Sequence, residues 1–335
     1  MKKKMIAVLC SAALAAPVIA QAEGLEIYGK ARMALSYADN ANPDGAYEDS
    51  ALVVNNYNSR IGFKGSEDLG NGMKAIYQYE RQVDLDKKND ADTIRDSFVG
   101  LKGDFGSLKI GRISLPYKKA TSGFDTFNDT EADGNGGDDG IIRHNTRADN
   151  TIAFFSNDIS GAKFALSYST STGHKDELSE THVDYEDSAI SGMVSYTTGP
   201  LLVSAAYETL KSGDDKAAKV HARYTMEKDK VGVVIDRVSG QEPTLYVSYD
   251  RKMSGNYGLH AAVAARAEKD DNENGMSYFV VGATHAYSKS TEVYALFTQV
   301  NNDDQSRVSL KKADAVTGET ISALSLGINI KFSTK

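Results

Sequence analysis

The chain reads as all-β, a transmembrane antiparallel barrel of about sixteen strands. Three observations point there: an export signal at the N-terminus, apolar residues recurring at every second position, and connections that alternate between short and long.

The export signal comes first. Lys2, Lys3 and Lys4 precede an apolar run from Met5 to Ala20, and Ala20-Gln21-Ala22 supplies the small-x-small cleavage pattern. Residues 1–22 are therefore expected to be removed, leaving 23–335 as a single barrel domain. The run is short for a spanning helix and carries a cleavage flank, which argues against an anchor. Cys10 is the only cysteine and lies inside this segment, behind Leu9 rather than the small residue a lipoprotein signal requires. A mature chain without thiols has no disulfide, thiolate metal site or cysteine nucleophile.

The full chain holds 38 basic and 46 acidic residues, a net charge of −8. Losing three lysines with the signal leaves 35 against 46, or −11. That balance argues against a nucleic-acid partner. Mean hydropathy is −0.41, the value of a soluble chain. A membrane barrel gives the same figure, because only alternate residues face lipid.

The last strand shows the alternation most clearly. Leu324, Leu326, Ile328, Ile330 and Phe332 share one face, and Ser325, Gly327, Asn329 and Lys331 the other. The first strand sets Ile27, Gly29, Ala31, Met33 and Leu35 against Tyr28, Lys30, Arg32 and Ser36. Two interior strands repeat the pattern, with Leu245, Val247 and Tyr249 against Tyr246 and Ser248, and Leu259 and Val263 against His260 and Ala262. Segments of this kind are expected at 24–37, 59–66, 72–84, 94–105, 107–114, 148–157, 161–171 and 185–198. Further segments are expected at 200–211, 217–227, 229–239, 243–252, 256–268, 276–287, 290–300 and 320–332. An even number places both termini on one side, where the first and last strands close the wall; a bilayer tolerates no open edge. Tight turns such as 67–72 and 288–290 alternate with long acidic loops such as 38–58 and 115–147. A soluble sandwich of this length would be unusual as one domain, and no blade repeat supports a propeller.

Several stretches resemble the Gram-negative general porins. Leu25-Glu26-Ile27-Tyr28-Gly29-Lys30 looks like that family's first strand, and Ser59 to Gly72 like its second strand and following turn. Phe98 to Gly103 and Gly106 to Arg112 look like its fourth and fifth strands. The resemblance implies a homotrimer in the outer membrane, in contact with lipid and lipopolysaccharide. It implies a water-filled channel for passive diffusion of ions and small hydrophilic solutes, with the long third loop folded into the lumen. In the family, acids on that loop face basic side chains across the pore. By position, Asp125 and Asp129 match the acidic side, and Lys30, Arg60, Arg95 and Arg147 the basic side. Strand parity supports an inward Lys30 and Arg60; Arg95 is ambiguous, since its own face would include Val99 and Leu101. Two departures stand out. Phe127-Asn128-Asp129-Thr130 replaces the Pro-Glu-Phe-Gly-Gly tip of enteric members, and Ser333-Thr334-Lys335 follows the usual terminal aromatic.

The alternatives carry less. A sugar-specific channel needs an aromatic track, for which Tyr28 and Tyr246 are candidates; a phosphate channel needs excess lumen bases. The acidic stretch Asp133 to Gly140 lacks the EF-hand spacing and its bidentate Glu. No metal and no cofactor are expected. His144, His174, His182, His221, His260 and His285 are scattered and form no nucleophile–base or HExxH motif, so no enzymatic activity is expected. The −11 total and the acidic third loop point to a modest cation preference.

Overall fold

The computed structural model describes residues 24–39, 50–87, 93–135, 140–172, 188–210, 215–268, 275–304, 306, 308–310 and 318–335. The proposed signal 1–22, His174 and His182 lie outside the described residues.

Period-two sequence becomes a single closed antiparallel sheet. Its strands are β1 (Glu26–Asp39), β2 (Ser50–Asn56), β3 (Arg60–Gly70), β4 (Met73–Gln82), β5 (Ser97–Gly103), β6 (Gly106–Ser114), β7 (Arg147–Phe155), β8 (Ala162–Ser169) and β9 (Ala189–Thr198). The wall continues through β10 (Leu201–Leu210), β11 (Asp215–Thr225), β12 (Asp229–Val238), β13 (Thr244–Lys252), β14 (Tyr257–Arg266), β15 (Met276–Ala286), β16 (Thr291–Asn302) and β17 (Thr320–Ser333). β2 and β3 both pair with β1, on its two halves, so they are two segments of one barrel strand. The described wall is therefore sixteen-stranded.

That split corrects the sequence reading, which left 38–58 as a loop. Val54 pairs with Leu35, and Leu52 and Val54 are exposed on the outer face as a lipid-facing strand requires. The signal is hidden because Asn55, Asn56, Tyr57 and Asn58 interrupt the apolar alternation. At the break Asn58 takes a left-handed backbone (φ 56°), which asparagine tolerates better than most residues.

Closure runs from Tyr28↔Ser333 to Asp39↔Ser322 between β1 and β17. The outward ring of Phe332 lies over Gly29, where a Cβ would come within 2.3 Å of it; only glycine fits there. The tail beyond Phe332 extends the seam. Thr334 N–H donates to the Ile27 carbonyl at 3.0 Å, and Ser333 Oγ donates to Glu26 at 2.9 Å.

The outer face is apolar, with Leu324, Leu326, Ile328 and Ile330 all substantially exposed and available to lipid. The inner face is not uniform. On β12, β13, β15 and β16 it carries Val234, Tyr246, Tyr278, Val280, Leu296 and Val300, all buried inside the barrel. Phe124, Phe127, Ala132, Ile141 and Ile142 from the β6–β7 connection pack against them in one cluster. The barrel thus contains a small core of its own, and the long third loop lies in the lumen. Burying a Phe or Ile side chain is worth roughly 1.5–3 kcal/mol, enough for these residues to hold the loop inward.

Candidate functional site

The loop leaves β6 through Leu115 and a single helical turn, α1 (Pro116–Ala120), with Pro116 at the position a helix start favours. Polar side chains of the wall then tie down its backbone one after another. Ser191 on β9 meets the Tyr117 N–H (2.9 Å), and Ser204 on β10 donates to the Ala120 carbonyl (2.7 Å). Arg223 donates to the Gly123 carbonyl (3.1 Å) and Ser248 to that of Phe124 (3.0 Å). Tyr278 donates to the Ala132 carbonyl (2.8 Å). Tyr117 and Thr126 hydroxyls bond Asp236 and Asp250. These partners progress from β9 to β15, so the loop follows the inner wall around the lumen.

Its tip reaches β1. Arg32 Nη1 donates to the Asn128 carbonyl at 2.6 Å and lies 3.6 Å from Asp129 Oδ2. Asp129, in a left-handed backbone (φ 59°), also meets Arg60 Nη1 at 3.3 Å and accepts from Asn58 Nδ2 at 2.7 Å. The break between β2 and β3 is what places Asn58 there. Lys30 and Arg60 face each other in register on β1 and β3, joined to this group by geometry.

A second acid organises the neighbouring wall. Glu80 on β4 meets Arg95 Nε at 2.7 Å and Arg60 Nε at 3.7 Å, and accepts from the Tyr28 hydroxyl at 2.9 Å. Arg95 lies outside any strand; its N–H donates to the Glu80 carbonyl, which turns it inward and resolves the parity ambiguity. The third acid is Asp96, which binds Arg147 Nε at 2.5 Å, Lys119 Nζ at 3.6 Å and the Ser114 hydroxyl at 2.7 Å. Burial alone would raise its pKa, but Lys119, Arg147 and Ser114 hold it well below the usual carboxylate range. Lys118, one residue from Lys119, is pushed down to about 7 by burial and then by the Arg147 charge.

Of the six residues singled out from sequence, Lys30, Arg60, Arg95, Arg147 and Asp129 lie on one charged arc of the lumen or on the loop tip facing it. Asp125 has a different setting. It is 7% exposed and accepts from the Phe127 and Gly134 N–H groups, each at 2.9 Å, and from Tyr246 at 3.4 Å. Burial, then the neighbouring Asp133 carboxylate, push its pKa well up. It ties the loop together from beneath rather than presenting charge to water. Arg32, Glu80, Asp96, Lys119 and Asn58 were missed. Arg32 was legible, since it shares the inward face with Lys30; Glu80 and Asp96 were lost among the chain's many acids.

A family model described as Gram-negative porin matches residues 6–305. The major outer membrane protein P.IB of Neisseria gonorrhoeae is 36% identical over 138 residues, 40% of this chain and 38% of that protein. P.IB of Neisseria meningitidis serogroup B is 41% identical over 122 residues, 35% of each chain. The matched part thus spans less than two fifths of these curated relatives. Among solved structures, an anion-selective porin from Comamonas acidovorans aligns with a TM-score of 0.77 at 22% identity, covering 92% of this chain and 99% of that one. OmpT of Vibrio cholerae, in a trimer form, aligns at 0.69 and 13% identity over 92% and 99%. With the barrel, the inward loop and the family match over most of its length, the chain belongs to the Gram-negative porins, β-barrel channel proteins of the outer membrane.

Proposed function

We propose that the mature chain, from residue 23 onward, works as a homotrimeric, water-filled porin through which ions and small hydrophilic solutes diffuse passively, without catalysis. One observation carries this reading: a loop fastened inside the barrel narrows the lumen beside a wall of charged side chains. Fixed charge at a narrow wet passage sorts ions by sign and gives apolar solutes nothing in return for their lost hydration.

At the constriction, three acids (Asp129, Glu80 and Asp96) stand among Lys30, Arg32, Arg60, Arg95, Lys119 and Arg147. Each acid already has two basic partners, so the field a permeating ion meets is positive, and anions are favoured. The acidic total of the chain points the other way, because it counts loops and lumen together. The Comamonas porin sharing this fold is described as anion-selective, which agrees with that reading. A sugar-specific channel is less well supported: Tyr246 is fully buried beneath the loop, and the Tyr28 hydroxyl is committed to Glu80.

Refolded protein in planar bilayers tests the proposal. Conductance in three equal steps, unblocked by sugars, is the expected result. Absence of conductance from demonstrably folded protein would contradict it, and block by one sugar class would favour a specific channel.

A further inference from the structure

At the end of the barrel where the turns are short, a separate cavity of about 340 Å³ opens off the inner wall between β1 and β6. Gly24, Lys335 and residues next to the β3–β4 and β5–β6 turns line it, and no residue of the loop is among them. Short turns and both termini mark the periplasmic end of such barrels. Four lysines, Lys64, Lys102, Lys109 and Lys335, line this cavity beside a single acidic side chain, that of Glu26.

Glu26 is already committed. It lies 3.3 Å from Lys64 Nζ and accepts from Ser333 Oγ at 2.9 Å. Lys335 Nζ donates to the Gly24 carbonyl at 2.9 Å, a neutral acceptor, and its charge lies near the same Glu26 carboxylate. Lys102 and Lys109 have no carboxylate within 4 Å among the described residues. Lys109 is instead wedged between two inward rings, 4.3 Å from the centroid of Phe98 and 5.0 Å from that of Phe155. Those rings hold the ammonium in place without neutralising it. A cation positioned by aromatic faces, beside three more cations in a concave pocket, is built for a negatively charged guest. The volume is at the lower end of the range for small-molecule pockets.

We propose that this cavity is a binding site for small organic polyanions, compounds carrying two or more carboxylate or phosphate groups, at the periplasmic mouth of the pore. A single-charged anion leaves most of the lysines uncompensated, so the site selects for multiple charge. This placement on the periplasmic side rests on the porin reading; binding itself does not.

The test is isothermal titration of the folded, detergent-solubilised protein at low ionic strength with citrate, pyrophosphate and acetate. The expected result is saturable binding of citrate or pyrophosphate, one per chain, and none of acetate. The double variant Lys102→Gln/Lys109→Gln should weaken that binding at least tenfold while keeping the conductance of the parent in potassium chloride, which also certifies its fold. The variant Arg32→Gln/Arg60→Gln, at the constriction, should leave it intact. Citrate stronger than pyrophosphate assigns carboxylates as the preferred group, and the reverse assigns phosphates. The proposal is overturned if neither binds, if acetate binds equally well, or if only the constriction variant abolishes binding. Conductance of the parent without polyanion reports separately on the channel reading.

Discussion

The two halves of the lumen wall obey the same alternation and yet differ in chemistry, one rich in buried apolar side chains and the other in charge. From β12 to β16 the inward positions include Val234, Tyr246, Val280, Leu296 and Val300, with Asp236, Ser248 and Asp250 among them bonded to the loop; from β1 to β7 they include Lys30, Arg32, Arg60, Glu80 and Arg147. The first group is dry because the third loop covers it with Phe124, Phe127 and Ile142. The second stays in contact with water and holds charge. The comparison teaches that a run of inward apolar residues in a wet barrel marks where a loop will sit, and a cluster of inward bases clear of those residues marks where the passage remains. One half positions the loop, and the other half uses the gap that results.

Breaking the dry half should have the largest effect. Phe124→Ala removes a fully buried ring that packs edge-on against Tyr246, with centroids 5.0 Å apart. Truncations of this kind cost about 3–5 kcal/mol. Because the barrel has its own ladder of backbone bonds, the loss should fall on the loop: the barrel still folds, single-channel conductance rises and becomes noisy, and a protease cuts within 115–146. Unchanged conductance and protection would show that the polar ties alone hold the loop.

Asp96→Asn probes the wet half with a somewhat smaller effect. It removes a carboxylate shared by Arg147, Lys119 and Ser114. Hydrogen bonds to charged groups contribute about 1.5–3 kcal/mol, so thermal stability should fall by that order. Anion preference should rise, because two bases lose their partner. A stability loss with no change in reversal potential would place Asp96 outside the field that permeating ions meet.

The smallest effect concerns pH. Lys118, pushed down to about 7, is charged at pH 6 and largely neutral at pH 8. Anion preference should therefore decline across that window as one positive charge is lost from each lumen. The variant Lys118→Gln should flatten the step at the value the parent shows at pH 8. A step that survives the substitution would belong to another group.

Much of this architecture was legible in the chain itself. The closing strand and its face were plain from Leu324 to Phe332, since lipid on one side and water on the other enforce strict alternation. The strand Ser50–Asn56 was not, because the chain breaks just beyond it at Asn58, which bonds Asp129, and the break erases the local pattern. Lys30 and Arg60 could be placed by parity and resemblance, and Arg147 by resemblance alone. Asp125 could not be separated from Asp129: both are loop acids four residues apart, and only folding shows one held beneath the loop by N–H groups and the other at its tip against Arg32 and Arg60. Net charge is a weak guide for a related reason, since selectivity depends on the few charges lining the narrowest passage.

The reversal potential in a potassium chloride gradient tests the central claim most directly, measured for the parent and for Arg32→Gln/Arg60→Gln. A unit charge 4 Å from an ion in water is worth about 1 kcal/mol, or about a fivefold change in a ratio. The parent should favour chloride, and the variant should move toward potassium by a factor of that order. A parent that favours potassium, or a variant that leaves the potential unmoved, would contradict the assignment of the charged arc as the selective wall.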